Sequence, residues 1–114
     1  MDYNEKLWYT KKFHKSGELE RKVDKTLSYF SYICYLKKKR LITASEFKFF
    51  EYEVKRILVN NQVVEYLYNL YHFTKMRKMN LTFYYLFLYG KRKKFFNKDF
   101  YNSKSSIYNN YLNF

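Results

Sequence analysis

Apolar positions recur at helical spacing along most of the chain. Leu19, Val23, Leu27, Phe30 and Cys34 follow at intervals of four, four, three and four, which is one face of a helix. Ser16-Gly17 breaks the chain before this stretch, and the basic run 37–40 closes it, where cations suit the negative end of the helix dipole. A first helix is expected over 16–40, with Glu18 and Lys22 in the favourable order for an i,i+4 pair. Thr43-Ala44-Ser45-Glu46 then reads as a capping box, and Ile42 and Phe47 stand where a hydrophobic staple needs them. The helix it opens, over 43–59, carries Phe47, Phe50, Val54 and Ile57 as its apolar stripe, with Lys48, Glu51 and Lys55 elsewhere.

Asn60-Asn61 interrupts that pattern and offers the next N-cap. A third helix over 62–76 places Val63, Leu67, Leu70 and Thr74 on one stripe and Val64, Tyr68 and Tyr71 on the next. Glu65 is its lone charge before Lys75, so this helix is expected at the centre of the fold. Residues 81–89 are almost wholly apolar. Asn80 as N-cap and Gly90 just past the end predict a short buried helix there. The aromatic content would also suit a strand; with no partner strand evident, the helix is preferred.

Two flanking stretches lack a period. Residues 1–15 form an N-terminal arm that Trp8, Tyr9 and Phe13 can pin to the body. Residues 97–114 are too aromatic for a free tail and are expected to pack back irregularly or as a last turn. No internal repeat is visible. The fold class that follows is all-α, a small irregular bundle of about four helices in a single domain, which suits a chain of 114 residues.

Composition supports a packed core, because a chain with 25% aromatic residues has the apolar surface that disordered chains lack. One cysteine rules out an intrachain disulfide and points to an intracellular, cytoplasmic setting. The first residues are polar and mixed in charge, unlike a secretory signal. The uncharged run 79–89 is about half the ~20 residues of a membrane span.

The net charge of +13 needs a closer reading. Eighteen Lys, fifteen Tyr, twelve Phe and ten Asn beside one Ala and no Pro are residues favoured by A/T-rich codons. A high lysine count is therefore weak evidence of a partner by itself. The placement of acids says more. Residues 1–65 hold fourteen Lys/Arg against nine acids, whereas residues 66–114 hold nine against one, Asp99.

Little in the chain suggests catalysis. A metal site needs several convergent ligands, and the chain offers Cys34 with His14 and His72 far apart in sequence. Cys34 continues an apolar stripe and reads as an inert buried thiol; His72, between Tyr71 and Phe73, reads as a helix histidine with a hydrogen-bond partner. Two glycines cannot build a phosphate loop. Glu51 and Glu53 point to different sides of their helix. No catalytic residue, metal ligand or cofactor site is assigned.

What remains is charge. Lys75, Arg77, Lys78, Lys91, Arg92, Lys93, Lys94 and Lys98 have no acid among them from residue 66 to 98. They serve either as solvated helix ends or as a partner- or phosphate-binding surface. Phe95, Phe96 and Tyr101 stand nearby as possible stacking residues. The run 37–40 is expected to matter less, because acids such as Glu46 dilute it. The sequence thus describes a non-catalytic binding protein acting through its basic second half on an acidic protein or nucleoprotein partner. The exposed part of 81–89 would complete such an interface. The alternative is non-sequence-specific binding of RNA or DNA.

Overall fold

A computed structural model of the protein describes residues 17–112, with side chains from residue 21 onward. The N-terminal arm and residues 113–114 lie outside the described residues. Among the described residues four α-helices occur, α1 (Gly17–Lys38), α2 (Ala44–Leu58), α3 (Asn61–Met76) and α4 (Tyr84–Arg92), followed by a 3-10 helix, η1 (Lys98–Tyr101). No strand is present among the described residues, and the architecture is an all-α bundle.

Local chemistry sets two of the helix starts. The Thr43 hydroxyl accepts from the Glu46 amide at 3.0 Å, and the Glu46 carboxylate accepts from the Thr43 amide at 2.8 Å. Both halves of the capping box are therefore formed. Thr43→Ala is expected to lower stability by about 0.5–2 kcal/mol, read as a shift in denaturation midpoint; an unchanged midpoint would show that the cap contributes nothing. Asn60 Oδ1 caps α3 by accepting from the amides of Gln62 at 3.0 Å and Val63 at 3.2 Å.

The fourth helix departs from the expected 81–89 span. It starts at Tyr84 after Phe83, whose backbone is left-handed with φ 60°, and Asn80 makes no cap. Residues 82–83 form a turn instead, and Leu81 and Phe83 pack against the core. Gly90 is not the residue after the helix but lies within it, and the helix runs on to Arg92. A Cβ at Gly90 would stand 2.6 Å from Phe96 Cε2 and 2.8 Å from its Cζ. Glycine is present there so that the Phe96 ring can lie on the helix.

Three helices end in the same hydrogen-bonded turn, a Schellman motif. The amide of Arg40 donates to Lys37 O at 3.0 Å and that of Leu41 to Leu36 O at 2.8 Å. Lys78 and Met79 repeat the pattern after α3, and Lys94 and Phe95 after α4. The left-handed position that usually holds glycine is occupied by Arg40 (φ 59°), Lys78 (φ 55°) and Lys94 (φ 59°). A side chain in that conformation costs about 1–2 kcal/mol.

α1 and α4 pack side by side and run in the same direction. Tyr35 and Tyr85 meet edge to face at 5.0 Å. Further along, Cys34, Lys37 and Lys38 of α1 face Leu88, Tyr89 and Arg92 of α4. Phe47 of α2 closes on Tyr89 at 5.4 Å. The buried core draws on every helix, including Val23, Leu27, Val54, Leu58, Leu67 and Leu86.

α3 carries eight buried residues, three of which are polar: Asn69, His72 and Thr74. The Thr74 hydroxyl bonds within the helix, to Leu70 O at 2.9 Å. The others reach outward to η1 and the chain that follows it. Tyr68 Oη donates to Asn102 O at 2.9 Å, and His72 Nε2 lies 2.7 Å from Phe100 O. Asn69 Nδ2 donates to Asn109 O at 2.7 Å, while its Oδ1 accepts from the Tyr111 amide at 2.9 Å. Glu65 Oε2 accepts from the Asn109 amide at 3.4 Å. Residues 65, 68, 69 and 72 share one helix face, so a polar ladder on α3 supplies the backbone partners that an irregular segment needs.

Candidate polyanion-binding surface

The basic runs sit at helix ends, and the packing of those ends decides which cations meet. Because α1 and α4 are parallel, the run 37–40 and the run 91–94 emerge at the same end of the bundle. The second run is divided by its helical turn. Arg92 faces α1 and lines a cavity of about 310 Å³ with Lys37, Lys38, Arg40, Ile42 and Ala44. Lys91 points to another face, where its Nζ lies 6.0 Å from the centre of the Tyr101 ring. Lys93 Nζ stands over Tyr89 at 6.0 Å. Lys94 occupies the left-handed turn.

The Lys91 face is the more elaborate. Tyr71 and Tyr101 meet edge to face at 6.0 Å, and Lys75 Nζ lies 5.7 Å above Tyr71. A cavity of about 210 Å³ opens on one side of Tyr101, lined by Tyr71, Leu81, Tyr84, Phe87, Leu88, Lys91 and Phe96. A second, of about 350 Å³, opens on its other side between His72, Lys75, Met76, Ser103 and Lys104. Tyr101, 37% exposed, is the wall the two share. η1 places it there, held by Asn97 Oδ1 accepting from the Phe100 amide at 3.2 Å.

Of the eight basic residues singled out in the sequence, the structure brings Lys75 and Lys91 to this aromatic face and Arg92 to the α1 end. Arg77 stacks on Phe73 at 4.9 Å, and Arg77, Lys78, Lys93, Lys94 and Lys98 line neither cavity beside Tyr101. Lys104 and Tyr71 are additions that the chain alone did not indicate. Lys104 sits among Ser and Asn residues without a pattern, and Tyr71 reads as part of an apolar stripe.

Electrostatics leave these cations uncompensated. Among the described residues, none of the eight forms an ion pair, whereas on α2 Arg56 pairs with Glu53 at 3.9 Å. Burial holds the hydroxyl of Tyr101 above the usual tyrosine range, so it stays neutral and can donate. Burial likewise lowers the pKa of His72, partly offset by its bond to Phe100 O, and the imidazole is neutral at pH 7. Cys34 is buried, and desolvation pushes its thiol up to about 12 despite Lys37 and Arg92 nearby. Such a thiol is a poor nucleophile.

Among the described residues no group of His, Cys, Asp or Glu could hold a metal ion, and no helix is long and apolar enough to cross a membrane. Comparison with protein-family models, curated proteins and solved structures finds no match to the chain.

Proposed function

We propose that the protein binds single-stranded nucleic acid, without sequence preference, through the face formed by Tyr71, Tyr101, Lys75, Lys91 and Lys104. One observation carries this reading: a part-exposed tyrosine stands between two cavities whose rims hold unpaired lysines from α3, α4 and the C-terminal segment. Such proteins combine an aromatic platform for an unpaired base with cations that follow the phosphates. The protein-partner reading leaned on an exposed remnant of 81–89. In that run Leu86, Phe87 and Tyr89 are buried while Tyr84 is 50% exposed, so only part of the run is left to such an interface.

The test is a titration of mixed-sequence single-stranded RNA and DNA at several salt concentrations. With three or four phosphate contacts, log affinity should fall with log salt at a slope of about −2 to −3. Changing Lys75 and Lys91 together to Ala should flatten the slope by about 1.4 and weaken all sequences alike. Tyr101→Ala should weaken binding by about 1–3 kcal/mol, the worth of one stacked base, while Tyr101→Phe retains it. No binding near 50 mM salt, with a protein partner captured equally after nuclease treatment, would return the assignment to a protein interface.

A further inference from the structure

The end of the bundle where α1 and α4 finish holds a second concentration of charge, separate from the Tyr101 face. Lys37, Lys38, Arg40 and Arg92 line one cavity, together with Ile42 and Ala44. No carboxylate lines it. The closest acid in sequence, Glu46, is engaged in the capping box through the Thr43 amide at 2.8 Å.

Helix dipoles do not account for this arrangement. Two helix C-termini together carry roughly one unit of negative charge, and four cations meet around the cavity. Lys37 is also held in place, with its Nζ 4.9 Å from the centre of the Phe47 ring and 6.0 Å from that of Tyr89. A freely solvated lysine has no need of such fixation. Two lysines and two planar guanidinium groups drawn from two helices and a turn are the donor set that recognises phosphate oxygens.

We infer that this cavity is a binding site for a phosphate group, occupied by a nucleic-acid chain end, an internal phosphodiester or a free polyphosphate. The inference does not rest on the Tyr101 face, and either can fail alone.

The probe is inorganic pyrophosphate, added to the whole protein at ionic strength held constant with sodium chloride and followed by amide NMR. The expected result is a saturable shift confined to the amides around Arg40, Ile42, Ala44 and Arg92. The left-handed turns supply a control that separates binding from folding. Arg40→Gly and Lys78→Gly should each raise the unfolding midpoint, because each relieves the same backbone strain. Arg40→Gly should also weaken pyrophosphate about tenfold, the worth of one charge-assisted bond, whereas Lys78→Gly should leave its affinity unchanged. Arg92→Gln should weaken it without touching a strained turn. Shifts that are diffuse and do not saturate, or equal affinity in Arg40→Gly and Lys78→Gly, would overturn the site. Strands with and without a 5′-phosphate then distinguish the source. Tighter binding of the phosphorylated strand, lost in Arg40→Gly, assigns the site to chain ends; equal binding weakened by that variant assigns it to internal phosphates.

Discussion

Replacing Phe100 with alanine should lower the unfolding free energy by about 3–5 kcal/mol, the range for removing a buried aromatic ring. Phe100 is 0% exposed although it sits in a four-residue 3-10 helix outside the four main helices. Its ring stacks on Phe96 at 4.3 Å and touches Tyr68, Tyr71, Phe87, Tyr101 and Tyr108 at 5.3–6.2 Å. Those rings come from α3, α4, the connection to η1, η1 itself and the segment after it, so a void at Phe100 loosens all of them together. Phe100→Leu keeps most of the volume and should cost much less. Chemical denaturation checks both variants. A loss below about 1 kcal/mol for Phe100→Ala would mean that the surrounding rings collapse into the void, and that Phe100 is not the residue tying the segment to the helices. Because Tyr101 is the next residue, the alanine variant should also lose strand binding, while the leucine variant keeps it.

The second large effect is expected at Asn69. This side chain is 0% exposed and makes three hydrogen bonds: it donates to Glu65 O at 2.9 Å and Asn109 O at 2.7 Å, and accepts from the Tyr111 amide at 2.9 Å. Leucine has similar bulk but none of this capacity. Asn69→Leu would strand two backbone groups of the C-terminal segment, at about 1–3 kcal/mol each if they stay buried. The segment can limit that penalty by detaching and letting water reach those groups. The net loss should therefore settle near 2–3 kcal/mol, and it should be local. Hydrogen exchange gives the decisive readout: the Tyr111 amide should lose its protection in Asn69→Leu, while amides in the middle of α1 slow or quicken only with global stability. Unchanged protection at Tyr111 would show that Asn69 does not hold the segment.

Both residues illustrate what escapes a reading of the chain. Asn69 stands in a helix whose neighbours are Tyr and Leu, and a lone asparagine there gives no hint of three partners. Two of its partners lie about forty positions away, in a segment with no period of its own. Phe100 is one of many aromatic residues near the C-terminus, and its chemistry does not separate it from Phe95 or Tyr101. Burial alone does, and burial depends on where η1 comes to rest.

What the sequence determined by itself was whatever local chemistry decides. The Thr43 and Asn60 caps act over two or three residues, so the helices they open were legible in order and kind. The first three helices followed from apolar spacing, which a packed core must satisfy whatever its details, whereas the fourth was preferred for want of a partner strand; no strand occurs among the described residues. The tertiary structure decided everything that depends on distant neighbours. Gly90 resembled a helix stop until the Phe96 ring, folded back by the turn after Arg92, was seen to occupy the space a Cβ would need. The basic run 91–94 resembled one patch until a helical turn sent Lys91 toward Tyr101 and Arg92 toward Lys37, Lys38 and Arg40. Helix signals decay within about a turn of chain, whereas a binding surface is assembled by the packing of elements fifty residues apart, and that packing is set by the core rather than by the charges it displays.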